Sequence, residues 1–150
     1  MFIKTILSFS VLVAAITFAP DQTDLTGIKC VVEGDRAAVE SVAVDHKDGK
    51  VYLCCNHCAD AFKKDVQLAE EAKFTTKANH QLVLTGQYVQ KGCPFSGDAV
   101  DENFSLTVGA VKIGFCCADC QKKIDGLKTI EEKVELLFSD SAFNKAFAKQ

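Results

Sequence analysis

Positive charge, long apolar runs and proline are all scarce in this 150-residue chain, and each scarcity removes a class of function. Basic residues number 17 against 20 acidic ones, a net charge of −3, which argues against a nucleic-acid partner. The short groupings at Lys63-Lys64, Lys122-Lys123 and Lys145 with Lys149 read as solvated helix faces. Beyond residue 19 no apolar stretch approaches the roughly 20 residues that a membrane-spanning helix needs, so no stable membrane insertion is expected of the remainder. No Ser-His-Asp arrangement, phosphate-cradling glycine loop or glycosidase carboxylate pair is recognisable, and the chain is expected not to be an enzyme. The only prolines are Pro20 and Pro94.

What is present begins with a leader. Lys4 precedes an apolar and small-residue run from Ile6 to Ala19, with Thr17 and Ala19 ahead of Pro20-Asp21, the pattern of a secretory signal peptide over residues 1–19. An exported, periplasmic or secreted protein is therefore expected. Loss of the leader would remove one lysine and leave 16 basic against 20 acidic residues, a charge of about −4.

The richest feature is sulfur. Eight cysteines fall in two matching blocks: Cys30 with Cys54-Cys55-Asn56-His57-Cys58, and Cys93 with Cys116-Cys117-Ala118-Asp119-Cys120. The leading cysteine stands 24 positions before its cluster in the first block and 23 in the second, and each lies four residues before a Gly-Asp pair, Gly34-Asp35 or Gly97-Asp98. Leu25-Thr26-Gly27 and Leu84-Thr85-Gly86 open the two copies. We therefore expect two small tandem units, residues 24–71 and 83–150, joined by a polar linker over 72–82. Each is near the size at which a hydrophobic core alone is marginal.

Within each unit the pattern is strand, turn, strand, helix. Ala38 to Val44 alternates, Asp48-Gly49 supplies turn chemistry, and Val51 to Leu53 returns as the second strand of a hairpin. Phe104 to Val108, a turn at Gly109, and Val111 to Phe115 repeat it. Helical spacing follows each cluster, with Phe62 four after Cys58 and Ile124 four after Cys120, positions expected to pack behind the thiols. Ile130, Val134, Leu137 and Phe138, then Phe143 and Phe147, predict two further C-terminal helices covering the second hairpin. The fold class is α+β.

Three or four sulfurs brought together in this way suit a closed Zn²⁺ site or a lower-coordinate Cu(I) site, because both ions accept soft thiolates. Cys58 and Cys120 enter the first turn of a helix, where amide dipoles should favour a thiolate. The leading cysteine can bend back beside its glycine turn.

These residues resemble the TRASH/YHS-type metal-binding module. Cys93-Pro94, followed by Phe115-Cys116-Cys117-x-x-Cys120 and a helix, carries the likeness, and Cys30 with Leu53-Cys54-Cys55-x-x-Cys58 looks like a second copy in which Val31 stands for the proline. The resemblance implies heavy-metal trafficking, storage or resistance, with a metal-exchanging partner protein and two bound ions, zinc or alternatively copper(I). By position it implies Cys30, Cys54 and Cys58 as ligands of one ion and Cys93, Cys116 and Cys120 as ligands of the other. Strand alternation makes Cys54 and Cys55 inequivalent, which points Cys55 and Cys117 into the hairpin core, or makes them fourth ligands if the chain has already turned into the helix.

Two other readings compete. Cys55-x-x-Cys58 and Cys117-x-x-Cys120 at strand-to-helix junctions also suit a thiol-disulfide oxidoreductase, although no proline follows either motif and the leading cysteines are then unexplained. Eight exported thiols could instead staple a structural or interaction protein through disulfides. Of the histidines, His57 lies inside the first cluster, but Asp119 holds the matching place in the second, so His57 reads as solvent-facing. His46 and His80 read as surface residues.

Overall fold

The computed structural model describes residues 23–150; the expected leader lies outside them. Two antiparallel hairpins dominate. The first joins β1 (Val39–His46) to β2 (Gly49–Leu53), and the second joins β4 (Asp101–Val108) to β5 (Val111–Phe115), with β3 (Tyr88–Gln90) between them in sequence. Both hairpins close through two residues, and both shift register at the same place, between Val39 and Ala43 in one and between Asp101 and Ser105 in the other. The α+β expectation is met, and the sequence repeat is a structural repeat.

The first turn sits one residue earlier than its Asp-Gly pair suggests. Lys47 takes the left-handed conformation, with φ of 52°, and Gly49 is already the first residue of β2. Gly49 lies in close quarters, since a Cβ there would stand 2.7 Å from Leu82 Cδ2 and 2.8 Å from Gln87 Oε1 and those side-chain ends would have to shift. The strained Lys47 is tethered elsewhere: its Nζ lies 3.0 Å from Asp140 Oδ1 and donates to Asn144 Oδ1 at 3.0 Å.

A helix follows each hairpin, α1 (Asn56–Asp65) and α3 (Ala118–Asp125). The α1 helix passes into a 3₁₀ segment over Val66–Glu71. Here the linker expectation needs correcting, because α2 (Thr75–Leu84) occupies most of residues 72–82. Buried Asp65 fixes its start by accepting from the Lys73 and Phe74 amides at 3.0 and 2.8 Å. The segment looks polar because its polar side chains are inside. Asn79 donates to the Phe138 carbonyl and to Asp140 Oδ1 while its own oxygen meets His46 Nε2 at 3.1 Å. Buried amides of this kind are tolerated when every polar atom is matched.

The C-terminal helices α4 (Ile130–Leu137) and α5 (Asp140–Ala146) form as expected, but both pack on α2, and it is α4 that also meets the second hairpin, at β4. The chain then ends in β6 (Phe147–Lys149), which pairs with β3 and was not foreseen. One continuous core runs through both repeats: Val51, Leu53 and Phe62 share it with Ile113, Phe115 and Ile124, and Leu82, Leu137, Phe138 and Phe143 fill the space between. No helix among the described residues is long and apolar enough to cross a membrane.

His46 and His80 are not surface residues. His46 is half-buried, edge-on to Phe62 at 5.6 Å. The His80 ring lies 4.6 Å from that of Phe138, with Nε2 enclosed and unpartnered. Burial pushes the His80 pKa down to about 4, below the ordinary 6.5.

Two outcomes are expected. Asn79→Ala leaves the Phe138 carbonyl without this donor and should cost about 1–3 kcal/mol, read as a lower urea midpoint; a change under about 0.5 kcal/mol would contradict the role given to this amide. Because an unfolded chain takes up a proton at position 80 below pH 6.5 while the native ring resists until about pH 4, stability should fall as the pH drops through that window. Urea midpoints at pH 7 and 4.5 should converge in His80→Phe relative to the parent chain.

Candidate metal centre

Each leading cysteine opens the same tight turn. The Gly34 amide donates to the Cys30 carbonyl and the Gly97 amide to the Cys93 carbonyl, both at 2.8 Å, with the glycines at φ of 70° and 82°. A Cβ is disfavoured in that region, which is why glycine recurs there. The turn aims backbone amides at the sulfur. Burial alone would raise the Cys30 thiol, but the amides of Glu33, Cys54 and Val32 outweigh it and lower its pKa. At Cys93 burial is likewise outweighed, here by the amides of Cys116, Ser96 and Phe95 with the Ser96 hydroxyl, and the pKa falls to about 6.

The cluster cysteines then converge on that sulfur. Sγ atoms of Cys30, Cys54 and Cys58 all lie within 4.8 Å of one another, and so do those of Cys93, Cys116 and Cys120. Each trio could hold a metal ion. In each, two members are buried and one, Cys54 or Cys116, is partly exposed. Cys54 and Cys58 sulfurs are 3.5 Å apart, and Cys116 and Cys120 sulfurs 3.6 Å apart. An ion with tetrahedral sulfur ligands at about 2.3 Å spaces them about 3.8 Å apart, so thiols already stand near ligand separation. All eight cysteines are free, with no sulfur pair at bonding distance.

The adjacent cysteines behave differently from the strand-alternation expectation. β2 ends at Leu53 and β5 at Phe115, so Cys55 and Cys117 have left the strand and are the N-cap residues of α1 and α3. Their sulfurs turn toward the cluster, not into the hairpin core: Cys55 Sγ is 3.6 Å from Cys58 and 3.8 Å from Cys54, and Cys117 Sγ is 3.6 Å from Cys116. The helix amides act on these residues. Without a close cap hydrogen bond, the Cys58 and Cys120 amides still hold the Cys55 and Cys117 thiols below their ordinary pKa. Cys58 and Cys120, expected to be the dipole-stabilised thiolates, are instead pushed up by burial and by thiol hydrogen bonding to their neighbours, Cys120 to about 12. His57 is solvent-exposed. Phe62 and Ile124 are fully buried in the core that holds the thiols.

Two glutamines position both sites. Gln81, on α2, accepts from the Tyr52 amide at 2.6 Å and donates to the carbonyls of Tyr52 and Lys29 at 2.9 and 3.0 Å. Gln90, on β3, accepts from the Gly114 amide at 2.9 Å and donates to the carbonyls of Gly114 and Gly92, both at 2.8 Å. Lys29 and Gly92 immediately precede the leading cysteines, and Tyr52 and Gly114 lie two residues before Cys54 and Cys116. One side-chain amide thus ties together the two segments that bring sulfur to each site. Sequence reading missed both, because the glutamines occupy unrelated places in the repeat. Ser96 was missed too; its hydroxyl donates to Cys116 Sγ at 3.4 Å.

No family model, curated protein or solved structure matches the chain.

Removing the second clamp should act locally. Gln90→Ala is expected to weaken metal binding at the Cys93 site by about 10–100-fold, the range typical of residues that orient ligands, and to leave the Cys30 site within about threefold. Competition against a chromogenic chelator reads both. Equal weakening of the two sites would show that the amide supports the fold as a whole.

Proposed function

We propose that this protein is an exported binder and carrier of thiophilic metal ions, one held by Cys30, Cys54 and Cys58 and one by Cys93, Cys116 and Cys120. The observation that carries the reading is the repetition of one device in diverged sequence: amide-lined leading cysteine, convergent thiol trio and glutamine clamp. Zinc is the first occupant to test and copper(I) the second, since three thiolates suit either ion while oxygen-seeking ions are poorly matched. The TRASH/YHS resemblance and the leader support metal handling outside the cytoplasm.

The exposure pattern favours cargo over a purely structural ion. Two ligands of each trio are buried, but Cys54 and Cys116 are partly exposed, so a thiol of a partner protein can reach the ion from that side. Binding must also displace protons from the raised Cys58 and Cys120 thiols, which makes loading weaken as the pH falls.

The reduced chain should take up two ions at separable sites, counted by native mass spectrometry with elemental analysis; one or none would sink the two-site reading. Cys54→Ser should weaken the first site by more than about 100-fold, beyond the roughly 10–100-fold typical of residues that only orient ligands, and Cys55→Ser by no more than that range. The same contrast is expected between Cys116 and Cys117. Equal losses from both neighbours would make each site a four-cysteine one.

A further inference from the structure

Each cluster contains one thiol more than its trio uses. Building on the metal-binding reading, we propose that Cys55 with Cys58, and Cys117 with Cys120, are redox-closing pairs, through which a small disulfide or an oxidised dithiol protein releases the bound ion. Of the two partly exposed thiols in each cluster, the spare one is the one outside the trio. Cys55 is partly exposed at the N-cap of α1, while Cys58, 3.6 Å away, is fully buried. Cys117 and Cys120 repeat this order at α3, the first partly exposed and the second buried.

Competing pairings are poorer. Neighbouring Cys54 and Cys55 have Cα atoms about 3.8 Å apart, inside the lower limit of about 4.4 Å for an unstrained disulfide. Cys54 and Cys58 are close, at 3.5 Å, but both belong to the trio that holds the ion. Cys55 is the thiol left free to attack. Its sulfur needs to close from 3.6 Å to a bond of about 2.05 Å, which is within reach of a side-chain rotation.

The exchange balances in two steps. Cys55 thiolate attacks one sulfur of the donor disulfide, forming a mixed disulfide and expelling a thiolate. Cys58 then attacks Cys55 Sγ, closing the intrachain disulfide and expelling the second thiolate, so two protein thiols are oxidised and one donor disulfide is reduced. The first ion is left with Cys30 and Cys54 alone. Loss of a buried ligand, rather than competition for the ion, drives release.

The test is to load the full-length reduced chain with zinc, confirm the metal content, and add oxidised glutathione in the presence of a chromogenic zinc indicator. Disulfides are then mapped by mass spectrometry of the digested protein. Expected are Cys55–Cys58 and Cys117–Cys120 linkages appearing with the same time course as zinc. Zinc release from the first site of Cys55→Ser should be slower by at least about tenfold, with the second site unchanged. Linkages to Cys30, Cys54, Cys93 or Cys116 as the first products, zinc retained after full oxidation, or unchanged release in Cys55→Ser would each overturn the proposal while leaving metal binding intact. Failure to load zinc or copper(I) at all would instead overturn the binding reading and the release step with it. Mapping on the parent chain decides the pairing even if Cys55→Ser does not fold.

Discussion

The arrangement of both sites depends on a side-chain amide doing the work of a missing strand. Each hairpin has only two strands, so the peptide groups of Tyr52 and Gly114 would face nothing on one edge. Gln81 and Gln90 supply one acceptor and one donor to that peptide, and spend the second amide hydrogen on the residue before the leading cysteine. Both amide hydrogens and the carbonyl oxygen of each side chain are used. An unpaired buried peptide costs about 1–3 kcal/mol, so the clamp is stabilising as well as positioning. The consequence is geometric: two segments more than 20 residues apart in sequence present their sulfurs at one point.

The clamps also explain why the repeats share a core. Gln81 comes from α2, which follows the first unit, and Gln90 comes from β3, which is held by β6 at the chain end. Backbone amides of Lys91 and Gly92 both donate to the Ala146 carbonyl at the end of α5, anchoring the approach to Cys93. The elements that complete each thiol site are therefore also the elements that bury the apolar faces of α4 and α5. Asn79 extends the same logic by joining β1 to the start of α5 through His46, Phe138 and Asp140. A hairpin-plus-helix unit this small buries too little apolar surface to stand on its core alone, and the buried amides make the connecting helix a common wall.

Much of this was legible in the chain. Cysteine spacing, glycine turns and period-two strands named the hairpins, the thiol groups and the α+β class, because those signals are local and repeated. What stayed hidden was non-local. Asn79 and Gln81 make residues 72–82 read as a solvated linker, since a polar residue looks the same in sequence whether water or a buried carbonyl satisfies it. The orientation of Cys55 was hidden for a different reason: alternation along a strand predicts opposite faces only while the strand lasts, and β2 stops at Leu53. The helix amides therefore act on the N-cap Cys55 and not on Cys58.

The two copies share the geometry of their sites and differ in charge environment. Three residues after the leading cysteine, the first site has Glu33 and the second Ser96, whose hydroxyl reaches Cys116 Sγ and lowers Cys93 as well. Lys123 lies 4.8 Å from the Phe95 ring centroid, near the same turn, while the matching position in the first copy carries no such pair among the described residues. Backbone amides favour a thiolate in both copies, but only the second adds a hydroxyl donor. Negative sulfur is thus better supported at Cys93 than at Cys30, so the two sites are matched in shape and unequal in electrostatics. Repeated backbone devices set where the sulfurs meet; side chains that differ between the copies set how readily each group gives up its protons.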